Sequence, residues 1–104
     1  MPQKFVTVAK TTDIEPGAVK YVELDDYRLA ICNVDGTFYC IEDVCTHDGG
    51  SLDQGHLMGD VVECPRHGGR FNVTTGKAVH MPAVSPIETY PVKVEDGEIK
   101  VSLD

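Results

Sequence analysis

Arg28-Leu29-Ala30-Ile31-Cys32-Asn33-Val34-Asp35-Gly36-Thr37-Phe38-Tyr39-Cys40-Ile41 is the stretch on which the fold turns. Two segments rich in apolar, β-branched and aromatic residues flank an Asp-Gly pair. A two-residue type I′ turn needs positive φ, which Gly accepts without a steric penalty, so the pattern reads as a tight antiparallel hairpin. A turn at Asp35-Gly36 sets Ile31 opposite Cys40 and Cys32 opposite Tyr39. Because strand side chains alternate between faces, that register sends the two thiols to opposite sides of the sheet. Cys32 and Cys40 are therefore expected as free, buried thiols rather than a disulfide.

Working outward, Asp96-Gly97 repeats the same signal near the C-terminal end, and Asp25-Asp26 gives a weaker third. Periodicity predicts short strands over Phe5 to Ala9, Val19 to Leu24, Arg28 to Val34, Thr37 to Ile41, Val61 to Cys64, Ile87 to Glu95 and Glu98 to Leu103. No window of eleven residues carries a 3.6-residue apolar stripe, so at most one helical turn is expected, near Thr11 to Pro16. The fold class is all-β. At 104 residues the chain is expected to form a single domain, 1–104. An antiparallel β scaffold of about 1–42 and 84–104 would carry an inserted site of about 43–83, where glycines and prolines interrupt shorter strands.

Seventeen acidic residues against nine basic ones give a net charge of −8. That sign opposes nucleic acid, which is gripped by cations that displace counterions, and it opposes anionic membranes. No apolar run approaches the roughly 20 residues of a spanning helix, and Met1 to Phe5 shows no cationic and apolar export segment. A cytoplasmic location is expected, where four cysteines serve as thiols or metal ligands more readily than as a disulfide framework.

The unusual chemistry lies in the insert, as Cys45-Thr46-His47 and, sixteen residues on, Cys64-Pro65-Arg66-His67. Each motif offers one thiolate and one imidazole. Two soft sulfurs with two borderline nitrogens suit zinc or an iron-sulfur cluster far better than calcium or magnesium. A single residue between Cys45 and His47 is tight for structural zinc, whose paired ligands usually stand two to four residues apart. Gly49, Gly50, Gly68 and Gly69 follow the pairs, where missing side chains let backbone N–H groups reach bridging sulfides.

Cys45-x-His47 and Cys64-Pro65-x-His67, with Gly49, Leu52, Gly55, Phe71 and Thr75-Gly76, resemble the Rieske 2Fe-2S proteins. The resemblance runs from Cys45 to about Tyr90-Pro91-Val92. It implies a Rieske fold, a small β sandwich or barrel bearing a cluster-binding subdomain, and one Rieske-type 2Fe-2S cluster. Cys45 and Cys64 would hold the buried iron, and His47 and His67 the outer one. Neutral imidazoles in place of two thiolates leave less negative charge on the cluster and ease its reduction. High-potential members carry an extra cysteine in each cluster loop, where this chain has Gly50 and Arg66. They also carry Ser and Tyr hydroxyl donors where it has Gly69 and Phe71. A potential near the low end of the roughly −150 to +300 mV range of Rieske centres is expected.

Among Rieske proteins the chain is similar to the soluble low-potential ferredoxins of aromatic-ring dioxygenase systems. The resemblance implies a non-enzymatic, one-electron carrier between a flavin-dependent NAD(P)H reductase and a terminal Rieske non-heme iron oxygenase. Both partners would dock transiently near His47 and His67, and a monomer suits an exposed edge used by two partners in turn. The alternative is the small Rieske-like subunit of an assimilatory NADH-dependent nitrite reductase. A zinc-stabilised binding module would instead be colourless. His56 and His80 lack a second ligand at a recognised spacing and are given no site. The resemblance makes Pro82 a candidate for a loop covering the cluster, and Arg66 and Arg70 could pair with Asp48, Asp53 or a partner's carboxylate, although exposed ion pairs contribute little.

Overall fold

The computed structural model describes residues 4–44, 52–53, 55–65, 68–81 and 85–103. The hairpin at its centre has the expected register. Strand β3 (Tyr27–Val34) runs antiparallel to β4 (Thr37–Glu42), with Ile31 opposite Cys40 and Cys32 opposite Tyr39. Asp35 and Gly36 take φ of 50° and 93°, the doubly left-handed geometry of a type I′ turn. Asn33 Oδ1 accepts the Gly36 N–H at 2.7 Å, tying the turn to the strand that enters it. The Asp25-Asp26 and Asp96-Gly97 turns are likewise left-handed at both positions.

Three antiparallel sheets are formed by the described residues. The central one adds β2 (Val19–Leu24) beside β3 and the two-residue β9 (Thr89–Tyr90) beside β4. A second holds β1 (Val6–Lys10), β10 (Val92–Glu95) and β11 (Glu98–Val101) in the order β1-β11-β10. The third holds β5 (His56–Met58), β6 (Val61–Glu63), β7 (Arg70–Asn72) and β8 (Ala78–His80) in chain order. A 3-10 turn at Thr11–Asp13 is the short helical element expected there.

Leu29, Ile31 and Cys40 pack with Val22, Ala9, Ile14, Ile99 and Val101, whereas Ala30, Cys32 and Ile41 pack with Leu52, Val62, Cys64, Phe71, Val73 and Ile87. One sheet thus separates two cores, which is why β3 is buried from Leu29 to Asn33 instead of on alternate residues. Cys32 and Cys40 lie in different cores, both as free thiols. Burial pushes each up to about 12, because a thiolate would lose its hydration there.

The single strand expected from Ile87 to Glu95 is corrected by the structure into β9 and β10, which belong to different sheets. Pro91 stands between them. With no N–H to give a ladder, it marks where the chain crosses from one sheet to the other, and its carbonyl accepts the Ser102 N–H at 3.2 Å. Strands β5, β7 and β8 were not expected. At three residues each, they are too short to show a period of two.

Candidate metal centre

The first motif lies in sequence between Asp43, which follows β4, and Leu52, which packs against Ala30, Cys32 and Ile41 of the central sheet. The Asp43 N–H donates to the Arg28 carbonyl at 2.8 Å, fixing the departure to β3. Its side chain is fully buried. Oδ1 accepts the backbone N–H groups of both Leu52 and Asp53 at 2.7 Å, so one carboxylate clamps the two ends of the segment carrying Cys45 and His47. Burial raises this carboxyl to about 6, the two backbone donors notwithstanding, with the Asp53 carboxylate adding to the rise. Oδ2 meets no hydrogen-bond donor among the described residues.

The second motif occupies the β6–β7 connection. Cys64 N–H donates to the Gly69 carbonyl at 2.7 Å and the Gly68 N–H to the Cys64 carbonyl at 3.1 Å, closing a tight loop between them. The Cys64 side chain is turned into the core, 1% exposed, beside Leu52, Val62 and Phe71.

The two segments are brought against each other by backbone contact. A Cβ added to Gly55 would overlap the Glu63 carbonyl oxygen, one residue before Cys64. Gly55 N–H closes a turn onto the Leu52 carbonyl at 2.9 Å, after which β5 pairs with β6. Gly76 makes a similar approach to the scaffold. At φ +82° a Cβ there would overlap the Ile87 carbonyl, and the Ile87 N–H reaches the Gly76 carbonyl at 2.9 Å. A free thiol in an apolar core, on a tight hydrogen-bonded loop beside the ends of a second Cys/His segment, fits a soft, sulfur-ligated centre.

Of the four expected ligands, the structure describes Cys64. Cys45, His47 and His67 lie outside the described residues, as do Gly49, Gly50, Asp48, Arg66 and Pro82. His56 and His80 are exposed, and His80 Nδ1 lies 2.6 Å from the Met81 carbonyl. Arg70 bonds Glu63, Nε to Oε2 at 2.9 Å. The two residues face each other directly across β6 and β7.

Two contributors were missed in the sequence. Asp43 shows its role only once the segment to Leu52 is folded back. Asn72 organises the Thr74-Thr75-Gly76 turn, its Oδ1 accepting the Thr74 N–H at 2.8 Å and hydroxyl at 2.6 Å. An Asn before Thr-Thr-Gly is a side-chain-to-backbone turn signal that could have been read.

The family model of the Rieske [2Fe-2S] domain matches residues 4–91. The chain belongs to this family. A Rieske domain carries one 2Fe-2S cluster, ligated on one iron by two thiolates and on the other by two imidazoles. The ferredoxin CarAc of Metapseudomonas resinovorans is 41% identical over 103 residues, 98% of this chain and 96% of that one. The ferredoxin component of a Pseudomonas putida naphthalene 1,2-dioxygenase system is 38% identical over 99% of both chains. A solved structure described as a complex of reduced oxygenase and oxidized ferredoxin in carbazole 1,9a-dioxygenase contains a chain that is 40% identical. It superposes with a TM-score of 0.90 over 97% of this Rieske chain and 94% of that one. A nitrite reductase NADPH small subunit, 18% identical with a TM-score of 0.81, shares the fold.

Proposed function

We propose that this Rieske chain is the ferredoxin of a multicomponent aromatic-ring dioxygenase system. It would take one electron at a time from a flavin-dependent NAD(P)H reductase and deliver it to a terminal oxygenase. The carrying observation is coverage: ferredoxin components of such systems match it end to end, at 38–41% identity. The nitrite reductase alternative rests on a likeness of fold alone.

In this reading Cys45 and Cys64 hold the inner iron, and His47 and His67 hold the outer iron and mark the docking face. The cluster, when bound, supplies one-electron exchange. Residues of the chain do the rest. Cys64 anchors its loop in a dry core, Asp43 closes the first ligand segment, and Gly55 lets the two segments touch. The single-domain division into a scaffold of about 1–42 and 84–104 and an insert of about 43–83 belongs to the same proposal. So does the potential near the low end of the Rieske range, with Gly69 and buried Phe71 offering no hydroxyl donor. The carrier acts as a cytoplasmic monomer, and its charge of −8 steers it toward basic faces, faster at low salt.

Anaerobic reduction by NADH with a catalytic amount of a ring-dioxygenase flavoprotein reductase tests this reading. The visible bands should bleach by one electron per chain and recover when oxidised terminal oxygenase is added. A midpoint above about +150 mV, well inside the high-potential half of the Rieske range, would contradict it.

A further inference from the structure

We infer that Asp43 is an electrostatic positioning residue for the redox centre: its buried carboxylate, set at the entrance to the first ligand segment, holds the reduction potential of the bound cluster down. The inference rests on the ligand reading above and deepens it.

Three observations meet at this side chain. It is fully buried, and Oδ2 meets no hydrogen-bond donor among the described residues. It stands two residues before Cys45, and Oδ1 is bonded to Leu52, whose side chain lies in the same core cluster as Cys64. Its charge is felt in that core, since the Cys32 thiol there is pushed up by it in addition to burial. A structural clamp alone would not require a charge. An amide oxygen could accept the same two N–H groups, whereas a carboxylate adds a negative charge in a region where charges are poorly screened.

Reduction adds one electron to the cluster, converting one ferric iron to ferrous and making the centre one unit more negative. A fixed anion nearby opposes that change. Removing the anion should therefore favour the reduced form at any set potential. The expected size is about tenfold in the reduced-to-oxidised ratio, which for a one-electron couple is 59 mV.

The test is a mediated dithionite titration at pH 7.5, followed by visible absorbance, of wild type, Asp43→Asn and Asp43→Glu. Iron, sulfide and the EPR line shape are measured in each. Asn keeps an oxygen for Leu52 and Asp53 while losing the charge, so its potential should rise; Glu keeps the charge and should shift less than Asn. An Asn variant with two irons, two sulfides and an unshifted or lowered potential would overturn the inference, as would an equal rise in Glu. If Asn does not assemble the cluster, Asp43→Ser is titrated under the same rule; if neither neutral variant assembles, Asp43 serves to hold the loop and the inference fails. Iron, sulfide and EPR values in the wild type report separately on the ligand reading itself.

Discussion

The two faces of the central sheet meet partners built on different principles. On one face, β1, β10 and β11 supply strands of four or five residues joined by ladder hydrogen bonds, and Ala9, Ile99 and Val101 fill the space against Leu29 and Ile31. On the other, strands of three residues hang between loops that are held by Asp43, Asn72, Gly55 and Gly76. The scaffold is held mainly by apolar burial, which is non-directional and tolerant of single changes. The insert depends on close backbone contacts and specific hydrogen bonds, and in the Rieske family on metal ligation as well, so its stability is expected to be conditional.

Metal removal should widen that difference most. Chelation after reduction, or Cys64→Ser, is expected to abolish the visible spectrum. Hydrogen exchange should accelerate at the amides of Val62, Phe71 and Val73 well before those of Leu29 and Ile31. Equal acceleration on both faces would mean that the two halves unfold as one unit.

Next in size is the contact between ligand segments. Gly55→Ala places a methyl against the Glu63 carbonyl, which is backbone and cannot rotate away. A loss of about 3 kcal/mol is expected from the overpacking and the backbone shift it forces, with cluster content falling alongside. Gly36→Ala, in the scaffold hairpin, meets nothing within 4 Å and suffers only its left-handed φ. Its cost is expected near 1–2 kcal/mol, with cluster content unchanged. Urea midpoints and iron content measured together would separate the two, and iron loss in Gly36→Ala would break the comparison.

The effect that is smallest at neutral pH, and emerges only in alkali, concerns the thiols that divide the two cores. Cys32 and Cys40 have folded values raised to about 12 from an ordinary 9. The folded state therefore keeps protons that the unfolded state releases above pH 9. Their contribution is fully present below pH 9 and is lost as pH rises toward 12. Cys32→Ala should flatten this alkaline decline, at a small cost in packing, and an unchanged slope would assign the decline to other groups.

How far each region could be read in advance follows from the same physics. The Asp35-Gly36 turn is local chemistry, so the pairing of Ile31 with Cys40 is legible in the sequence. It also explains the correct separation of the two thiols. Alternation located β2, β3, β4 and β11 to within a few residues at each end. It ran through Pro91 because Ile87 to Glu95 reads as continuous while the missing N–H at Pro91 is visible only as a breaker. In the insert, ligand spacing gives Cys45, His47, Cys64 and His67 as the expected ligands, of which the structure describes Cys64, whereas three-residue strands carry too few positions to show a period. Asp43 was illegible for another reason. Its bonds to residues nine and ten positions away exist only once the segment has closed.

The central claim is that the insert holds a Rieske cluster through two Cys/His pairs, and its most direct test is iron and acid-labile sulfide content with the EPR spectrum of the dithionite-reduced protein. Two irons and two sulfides per chain are predicted, with a rhombic signal whose average g lies below that of an all-cysteine cluster. Zinc in place of iron, absence of sulfide, or the higher average g of four-thiolate ligation would contradict it.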